Sequence, residues 1–306
     1  MSLPTLTLGI PSFGRFFGDG NLHEVVGVAR QAEEAGVDSV LIPDHVVMSD
    51  QTHRYEWGDF PLPIDTPWLE PMAVLAAIAG ATTRVRLATG ILIAPLRPAA
   101  LLAKTAATLD VLSQGRVDLG VGTGWQKEEF DALGFDYAKR GQILTDAIAA
   151  CRALWGPSPT DFESATVRFE NIWCEPKPVQ KDGLPVFFSG TLTKRNMYRL
   201  THLGDGWIPI MNETLDGMTE GVARIKEAWA EAGRDPNKLR VRGTLETVKG
   251  EKGFDLRRTL EGAHDLGRRG ATEVQIQLLA FVRKPDQIPE FFAELRETWA
   301  AVKAAG

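Results

Sequence analysis

The chain has 306 residues, of which 44% are hydrophobic and 24% charged, with a formal net charge of -6 at pH 7. This composition is ordinary for a globular protein with a large core and excludes extended disorder. No basic stripe is present, so we expect no nucleic-acid partner. No apolar run of about 18 residues and no charged leader is present, so we expect a cytoplasmic protein without a membrane partner. Cys151 and Cys174 are expected to be free structural thiols rather than a disulfide.

Eight short apolar runs predict strands, and most lack alternation, as strands buried on both faces do. In chain order they are 6–10, 39–42, 85–93, 117–121, 186–189, 207–210, 239–247 and 273–278. Helical patterns separate them, at 22–35, 70–81, 98–112, 127–155 in two pieces, 193–203, 215–232, 254–266 and 285–304. Eight strand–helix pairs predict an α/β fold, a single (β/α)8 TIM barrel forming one catalytic domain over residues 1–306.

Two connections are longer than is usual in such folds, and we treat them as insertions after strands two and four. The first spans 44–67, and its aromatic and imidazole side chains, with one just beyond it, are His45, His53, Tyr55, Trp57, Phe60 and Trp68. So many aromatic side chains favour a lid or pocket wall, with a packed surface excursion as the alternative. The second insertion spans 156–183, and its residues 166–173 predict a short hairpin outside the barrel, of unknown role.

Several strong catalytic signatures are absent from the sequence. It has no GxxxxGK[ST], HExxH, CxxC pair or GxSxG, which disfavours nucleotide hydrolysis, zinc and serine catalysis. The glycines of 120–124 are followed by Trp125, where the dinucleotide fingerprint requires glycine, so a classical nicotinamide domain is disfavoured. Asp44, His45 and Glu246 are too scattered to predict a metal site, and we expect none.

Two strand ends carry residues that point to a site, because the carboxyl ends of barrel strands form the functional face. Asp44 and His45 close the second strand, where a carboxylate can orient an imidazole that exchanges protons near neutral pH. A helix cap beside a satisfied histidine is the alternative. Gly90, within Thr89-Gly90-Ile91, lets a flat ligand approach the third strand, with packing at a barrel corner as the alternative.

A third strand end predicts an anion site. The fifth strand passes through Ser189, Gly190 and Thr191 into a helix with Lys194 and Arg195 in its first turn. Free backbone N–H groups and the positive end of the helix dipole bind phosphate. Basic side chains oppose that dipole, so their presence favours an anion, although ordinary capping by Ser or Thr explains the same residues.

Taken as an ordered set, five segments resemble the luciferase-like monooxygenase superfamily, and within it the branch that uses the deazaflavin coenzyme F420. The likeness covers nearly the whole chain, and the segments are 33–40, 43–45, 84–91, 112–122 and 203–209. The resemblance implies an oxidoreductase that transfers hydride between F420 and a small organic substrate, with FMN as the alternative cofactor. It also implies a homodimer.

The resemblance places the cofactor residue by residue. The ring would lie against a bulge in the third strand, with a non-proline cis peptide bond between Gly90 and Ile91. The residues expected to contact the ring, its side chain and its phosphate are Asp44, Thr89, Thr123, Gly124, Ser189, Gly190 and Thr191. These assignments rest on the resemblance and not on spacing.

The same resemblance gives the catalytic candidates. His45 corresponds to the histidine that takes the substrate proton in relatives that oxidise sugar phosphates. Those relatives have a glutamate where this chain has Trp125, which speaks against a sugar-phosphate substrate. Glu128, or its neighbour Glu129, is the candidate for the missing carboxylate. Trp125 favours an apolar or planar substrate, and we expect Trp57, Trp68 and Trp125 to line the substrate pocket.

Two other functions fit the same residues. One is a two-component FMN-dependent monooxygenase, in which a separate reductase delivers reduced flavin that reacts with oxygen. The other is a non-catalytic flavin-binding protein, because ligand binding alone requires the same glycines and phosphate loop.

Overall fold

The computed structural model describes residues 3–210, 213–251 and 253–305. The strands are β1 Thr5–Gly9, β2 Ser39–Ile42, β3 Arg86–Thr89, β4 Leu92–Ile93, β5 Val117–Gly122, β6 Thr160–Glu163, β7 Arg168–Ile172, β8 Val186–Ser189, β9 Gly206–Ile208, β10 Arg240–Thr244, β11 Val248–Lys249, β12 Phe254–Asp255 and β13 Glu273–Gln277. The α-helices are α1 Val25–Glu34, α2 Pro71–Ala81, α3 Ala99–Leu112, α4 Lys127–Leu133, α5 Arg140–Trp155, α6 Lys194–His202, α7 Leu215–Glu231, α8 Leu256–Glu261, α9 Ala263–Arg268, α10 Leu278–Phe281 and α11 Ile288–Ala304. Short 3₁₀ helices cover Leu22–Glu24, Thr52–Arg54, Ala94–Leu96, Tyr137–Lys139, Pro236–Lys238 and Pro285–Gln287.

Eight parallel strand positions close into a barrel, which confirms the predicted (β/α)8 fold. The ring runs β1, β2, β3, β5, β8, β9, β10 and β13, and β13 pairs back onto β1. After an interruption at Gly90 and Ile91, β4 continues the third position and pairs with β5. Because these strands all run in one direction, their carboxyl ends share one rim, which is where barrels of this kind carry their chemistry.

Apolar packing between strands and helices holds the barrel together. One continuous core fills this layer, and its members on the strands include Leu6, Val40, Leu119, Phe188 and Val274. Each such side chain contributes roughly 1.5–3 kcal/mol when it is fully buried. This packing fixes the strand ends and therefore the loops that follow them. Within the described ranges, no helix has both the length and the apolar character needed to cross a membrane.

The prediction of one helix over 254–266 was wrong in two places. β12 pairs antiparallel with β11, so the first two predicted residues are in a strand. α8 begins at Leu256 because the Asp255 carboxylate accepts a hydrogen bond from the Arg258 N–H, as a helix cap does. Gly262 then separates α8 from α9.

The second insertion contains a hairpin that is displaced from the predicted segment. β6 and β7 pair antiparallel, and Thr166 and Val167 lie between the two strands. Apolar side chains of the hairpin and of two barrel helices form a small separate cluster, made of Phe162, Val167, Phe169, Ala99, Ala147 and Ala150. The hairpin therefore lies outside the barrel, against α3 and α5.

A buried ion network lies near the amino ends of the barrel strands. The carboxylate of Asp118, whose side chain is fully buried, accepts hydrogen bonds from Arg86 at 2.6 Å and from Arg240 at 2.7 Å. Arg240 also binds Glu273, as does the fully buried Arg242. Burial opposes the charge of Asp118, but Arg240 and Arg86 outweigh it and hold the pKa of this carboxyl below its ordinary value.

We expect Asp118→Asn to lower the free energy of unfolding by about 3 kcal/mol at neutral pH, because it leaves two partly buried guanidinium groups without their shared, fully buried anion. A carboxyl whose pKa is lower in the folded chain stabilises the fold above its ordinary pKa of about 3.9 and loses that contribution as the pH falls. The difference between wild type and variant should therefore shrink below about pH 4. Urea denaturation at several pH values measures it, and a difference that is constant with pH contradicts the prediction.

Candidate active site

A cavity of about 420 Å³ opens at the carboxyl ends of β2, β4, β5, β8 and β9. Its walls are formed by Pro43, Asp44, His45, Glu56, Trp57, Trp68, Gly90, Ile91, Ile93, Gly122, Thr123, Gly124, Trp125, Arg140, Ser189, Gly190, Thr191 and Ile210. All the predicted site residues except Thr89 and Glu128 are among them. A larger cavity, of about 770 Å³, lies between α9 and α11 at the opposite end, where barrels of this kind carry no chemistry.

The third strand position carries the bulge that the resemblance implies, and the peptide bond between Gly90 and Ile91 is cis. The glycines of β5 allow this bulge to pack closely. A Cβ at Gly120 would lie 2.3 Å from the carbonyl oxygen of Thr89, and one at Gly122 would lie 2.8 Å from the Ile91 side chain. The glycine run therefore lets two strands approach each other, a role distinct from phosphate binding.

Thr89 faces the neighbouring strand and not the cavity. Its hydroxyl donates to the carbonyl oxygen of Gly120 at 2.7 Å, and its side chain is buried. Thr89 therefore supports the bulge from within the barrel.

His45 lies in the cavity wall with its ring held in place. Its Nδ1 lies 3.3 Å from Oε2 of Glu129, and the two side chains are 11% and 0% exposed. The indole ring of Trp68 packs against the imidazole with its centroid 4.8 Å away, and that of Trp125 lies 5.9 Å away, both edge to face. The imidazole therefore has a carboxylate at one nitrogen and two indole rings packed against it, and the residue still lines the cavity.

The two glutamates of the first turn of α4 have different partners. Glu129, not Glu128, contacts His45, and its second oxygen accepts a hydrogen bond from the Val46 N–H at 2.6 Å. Glu128 instead binds Arg54 of the first insertion at 3.0 Å. The candidate Glu128 therefore anchors the loop, whereas its neighbour contacts the histidine.

Asp44 lines the cavity but already has protein partners for its carboxylate. Its Oδ2 accepts hydrogen bonds from the Ile93 N–H at 2.8 Å and from Arg97 at 2.7 Å. Arg97 also binds Glu70. Burial opposes the charge of Arg97, but Asp44 and Glu70 outweigh it and raise the pKa of the guanidinium. Asp44 thus ties the end of β2 to β4, and the sequence offers no signal for its partner Arg97.

The first insertion packs over the cavity as an aromatic layer. Tyr55 lies 5.3 Å from Trp57, 5.4 Å from Phe60 and 5.2 Å from Trp125 between ring centroids. The buried side chain of Gln126 accepts a hydrogen bond from the N–H of Ser49 and donates to its carbonyl oxygen, each at 3.1 Å. These contacts hold the loop against the start of α4, and Trp57 forms part of the cavity wall.

A second cavity, of about 560 Å³, adjoins the first and shares with it Thr123, Arg140, Ser189, Gly190 and Thr191. Four cationic side chains line it, namely Arg140, Lys194, Arg195 and Arg199. None of the four forms an ion pair with the described part of the chain. Burial, and to a smaller degree Arg195, lowers the pKa of Arg199 to about 10, so this group remains charged at neutral pH. The second cavity is therefore a groove of uncompensated positive charge.

Residues 189–191 form a loop that joins the two cavities, and their carbonyl groups point toward the side chain of Asn196. The buried Asn196 amide donates to the carbonyl oxygens of Ser189, Gly190 and Thr191 at 3.1–3.4 Å. The indole of Trp207 donates to Gly190 at 2.8 Å. Since the C=O and N–H of a trans peptide point in opposite directions, the N–H groups following Gly190 and Thr191 point away from Asn196. This arrangement suits an anion at the start of α6.

Residues 11–263 match the family described as luciferase-like monooxygenase, and the chain belongs to this family. An uncharacterised protein of Mycobacterium tuberculosis is 35% identical over 211 residues, which cover 68% of this chain and 74% of that protein. An F420-dependent glucose-6-phosphate dehydrogenase of Nocardia farcinica is 30% identical over 243 residues, which cover 76% of this chain and 66% of that enzyme. Membership of this family, with such relatives, supports an oxidoreductase.

Solved structures agree in fold. An F420-dependent secondary alcohol dehydrogenase in complex with an F420–acetone adduct superposes with a TM-score of 0.75 at 18% identity, over 99% of both chains. A coenzyme F420-dependent tetrahydromethanopterin reductase from Methanopyrus kandleri superposes with a TM-score of 0.67 at 16% identity, over 97% of this chain and 98% of that one. A monooxygenase from Streptomyces bottropensis superposes with a TM-score of 0.67 at 19% identity, over 96% of this chain and 89% of that one.

Proposed function

We propose that the protein is an F420-dependent oxidoreductase that transfers hydride between the deazaflavin ring and a small organic substrate. The observation that carries this proposal is the juxtaposition of two adjoining cavities. One is walled by the cis-peptide bulge, His45 and aromatic rings, and the other by cations that have no acidic partner among the described residues. A flat ring with a long anionic tail matches that pair of cavities. The F420-dependent relatives support the same cofactor.

The residues around the cavities fit such a group. Gly190 has φ +110°, and a Cβ there would meet no atom of the described chain closer than Asn196 Nδ2 at 3.8 Å, so it would project into open cavity space. Two buried donors on cavity-lining side chains, Trp68 Nε1 and Arg140 Nε, have no hydrogen-bond partner within the described residues. An unsatisfied buried donor is costly, so both call for a ligand acceptor.

In this proposal the protein binds, orients and excludes water, and the cofactor, when bound, supplies the hydride chemistry. Ser189, Gly190 and Thr191 would hold the phosphate, and Thr123 with Gly124 the chain that leads to it. His45 would exchange the substrate proton, because its ring lies in the cavity wall and an imidazole is the kind of group that gains and loses a proton near neutral pH. Trp57, Trp68 and Trp125 would enclose an apolar or planar substrate.

The cationic groove favours F420 over FMN. FMN ends at one phosphate, whereas the F420 tail continues beyond its phosphate into carboxylates. The groove is lined by Arg140, Lys194, Arg195 and Arg199, of which Arg140 also lines the first cavity. More cations than a single phosphate requires therefore support the longer tail.

Separate fluorescence titrations with F420 and with FMN test the proposal. We expect a lower Kd for F420, and a Kd that rises with salt because several charges are involved. Tighter binding of FMN, together with oxygen-dependent turnover of reduced FMN, would establish the monooxygenase alternative instead. Micromolar affinity for neither cofactor refutes both. The single-domain organisation, cytoplasmic location, homodimer and separate reductase stay predictions.

A further inference from the structure

Glu129 is a buried carboxylate whose one cationic partner among the described residues is a histidine. Its side chain is fully buried in the first turn of α4, and no lysine or arginine of the described chain pairs with it. An isolated buried carboxylate is strongly unfavourable unless hydrogen bonds compensate for the lost water. Its neighbour Glu128 has the ordinary arrangement, with 29% of its side chain exposed and an arginine partner. The placement of Glu129 therefore needs a reason beyond fold stability.

The two oxygens of Glu129 fix one residue in two ways. Oε1 accepts a hydrogen bond from the N–H of Val46, the peptide group that directly follows His45. Oε2 lies 3.3 Å from Nδ1 of the His45 ring. One carboxylate therefore holds both the backbone and the imidazole of His45, and the start of α4 determines where the ring points.

This contact also selects the histidine tautomer. An ionised carboxylate accepts hydrogen bonds and donates none, so the nitrogen that faces it must carry the proton. With Glu129 ionised, Nδ1 of His45 carries the proton, and the neutral ring then has its lone pair on Nε2. A base oriented by a third group in this way recurs in enzymes that rely on histidine for proton transfer.

We propose that Glu129 is a positioning residue, which holds His45 with its proton on Nδ1 and with Nε2 free to accept a proton in the cavity. The proposal rests on the proposed role of His45 in proton transfer. The sequence offered Glu128, or its neighbour Glu129, as a catalytic carboxylate, whereas the contacts of Glu129 favour a positioning role. The aromatic rings of Trp68 and Trp125 complete the restraint on the imidazole.

Long-range ¹H–¹⁵N correlation spectra of protein labelled at histidine, recorded without cofactor, test the tautomer directly. The chain has five histidines, and the spectrum of His45→Asn identifies the signals of His45. We expect protonated Nδ1 and unprotonated Nε2 in the wild type. In Glu129→Ala, we expect the Nδ1-protonated form to lose its dominance. Glu128→Gln is the matched control, since it removes the adjacent carboxylate and should leave the tautomer unchanged.

Kinetics give a second readout. Glu129→Gln keeps the size of the side chain and an oxygen for the Val46 N–H, so it is the variant chosen to preserve the fold. We expect its kcat to fall about 10²-fold with little change in KM, because orientation of the base is lost and substrate contacts remain. Glu129→Asp should recover part of this loss.

Two results would overturn the proposal: an unchanged tautomer in Glu129→Ala, or Nε2 protonated in the wild type. Both are measured without cofactor or substrate, so neither bears on whether the protein binds F420. Conversely, failure to bind F420 would refute the proposed function and leave the tautomer result standing.

Discussion

His45→Asn should lower kcat by roughly 10²–10⁴-fold, the usual contribution of a positioned acid or base, with little effect on the Kd for F420. Asparagine retains hydrogen-bonding capacity but does not titrate, so it cannot exchange a proton near neutral pH. The imidazole lies in the cavity wall beside Trp68 and is 11% exposed, and its ring is not part of the cationic groove. This variant should therefore lose turnover while it keeps its affinity for the cofactor tail.

The measurement begins with a screen of small alcohols and planar organic compounds for F420 reduction, followed by steady-state kinetics with the best substrate. His53→Asn is the matched control, because His53 belongs to the same insertion, is exposed and does not line the cavity. The control should keep the wild-type kcat. A His45→Asn enzyme with kcat within about threefold of wild type would remove His45 from the mechanism.

The position of the site could be predicted from sequence because it depends on a property of the whole barrel. Parallel strands deliver their carboxyl ends to one rim, so residues after separate strands meet there regardless of their distance in sequence. His45, Gly90, Thr123 and Ser189 accordingly line one cavity. Glycines such as Gly120 also indicated where two backbone segments lie close together, because the lack of a side chain is a property of the residue itself.

Side-chain partners could not be predicted in the same way. The choice between Glu128 and Glu129 depends on the residue at which α4 begins, because successive side chains on a helix point about 100° apart. Thr89 was expected at the cofactor, but the interruption after β3 leaves it facing Gly120. Arg97 reaches Asp44 across 53 residues, a contact that depends on how the 3₁₀ segment between β4 and α3 is folded.

Reversing two charges in the groove, with Arg140→Glu and Arg195→Glu together, should raise the Kd for F420 by roughly 10²-fold or more. A unit charge pair near a protein surface interacts with up to about 4 kcal/mol at 4 Å, and solvent screening reduces this. About 1.4 kcal/mol lost at each site gives a hundredfold change. FMN, with a shorter anionic tail, should lose less.

Both substitutions are compatible with the helices that carry them. Arg140 is the first residue of α5 and Arg195 the second of α6, and a glutamate in the first turn interacts favourably with the helix dipole. Arg140 does give up its contact over the Tyr137 ring, at 4.0 Å, which costs about 0.5–1 kcal/mol. Thermal unfolding should therefore change little, so that weaker binding cannot be attributed to unfolding.

The matched control carries Arg224→Glu and Arg296→Glu, which change the net charge equally on the exposed faces of α7 and α11. If overall charge determines affinity, both double variants should bind F420 more weakly. If the groove holds the tail, only the groove variant should do so. If the groove variant binds F420 within about threefold of wild type, the anion lies elsewhere. The four cations that line the groove would then need another explanation, and the argument for F420 over FMN would no longer hold.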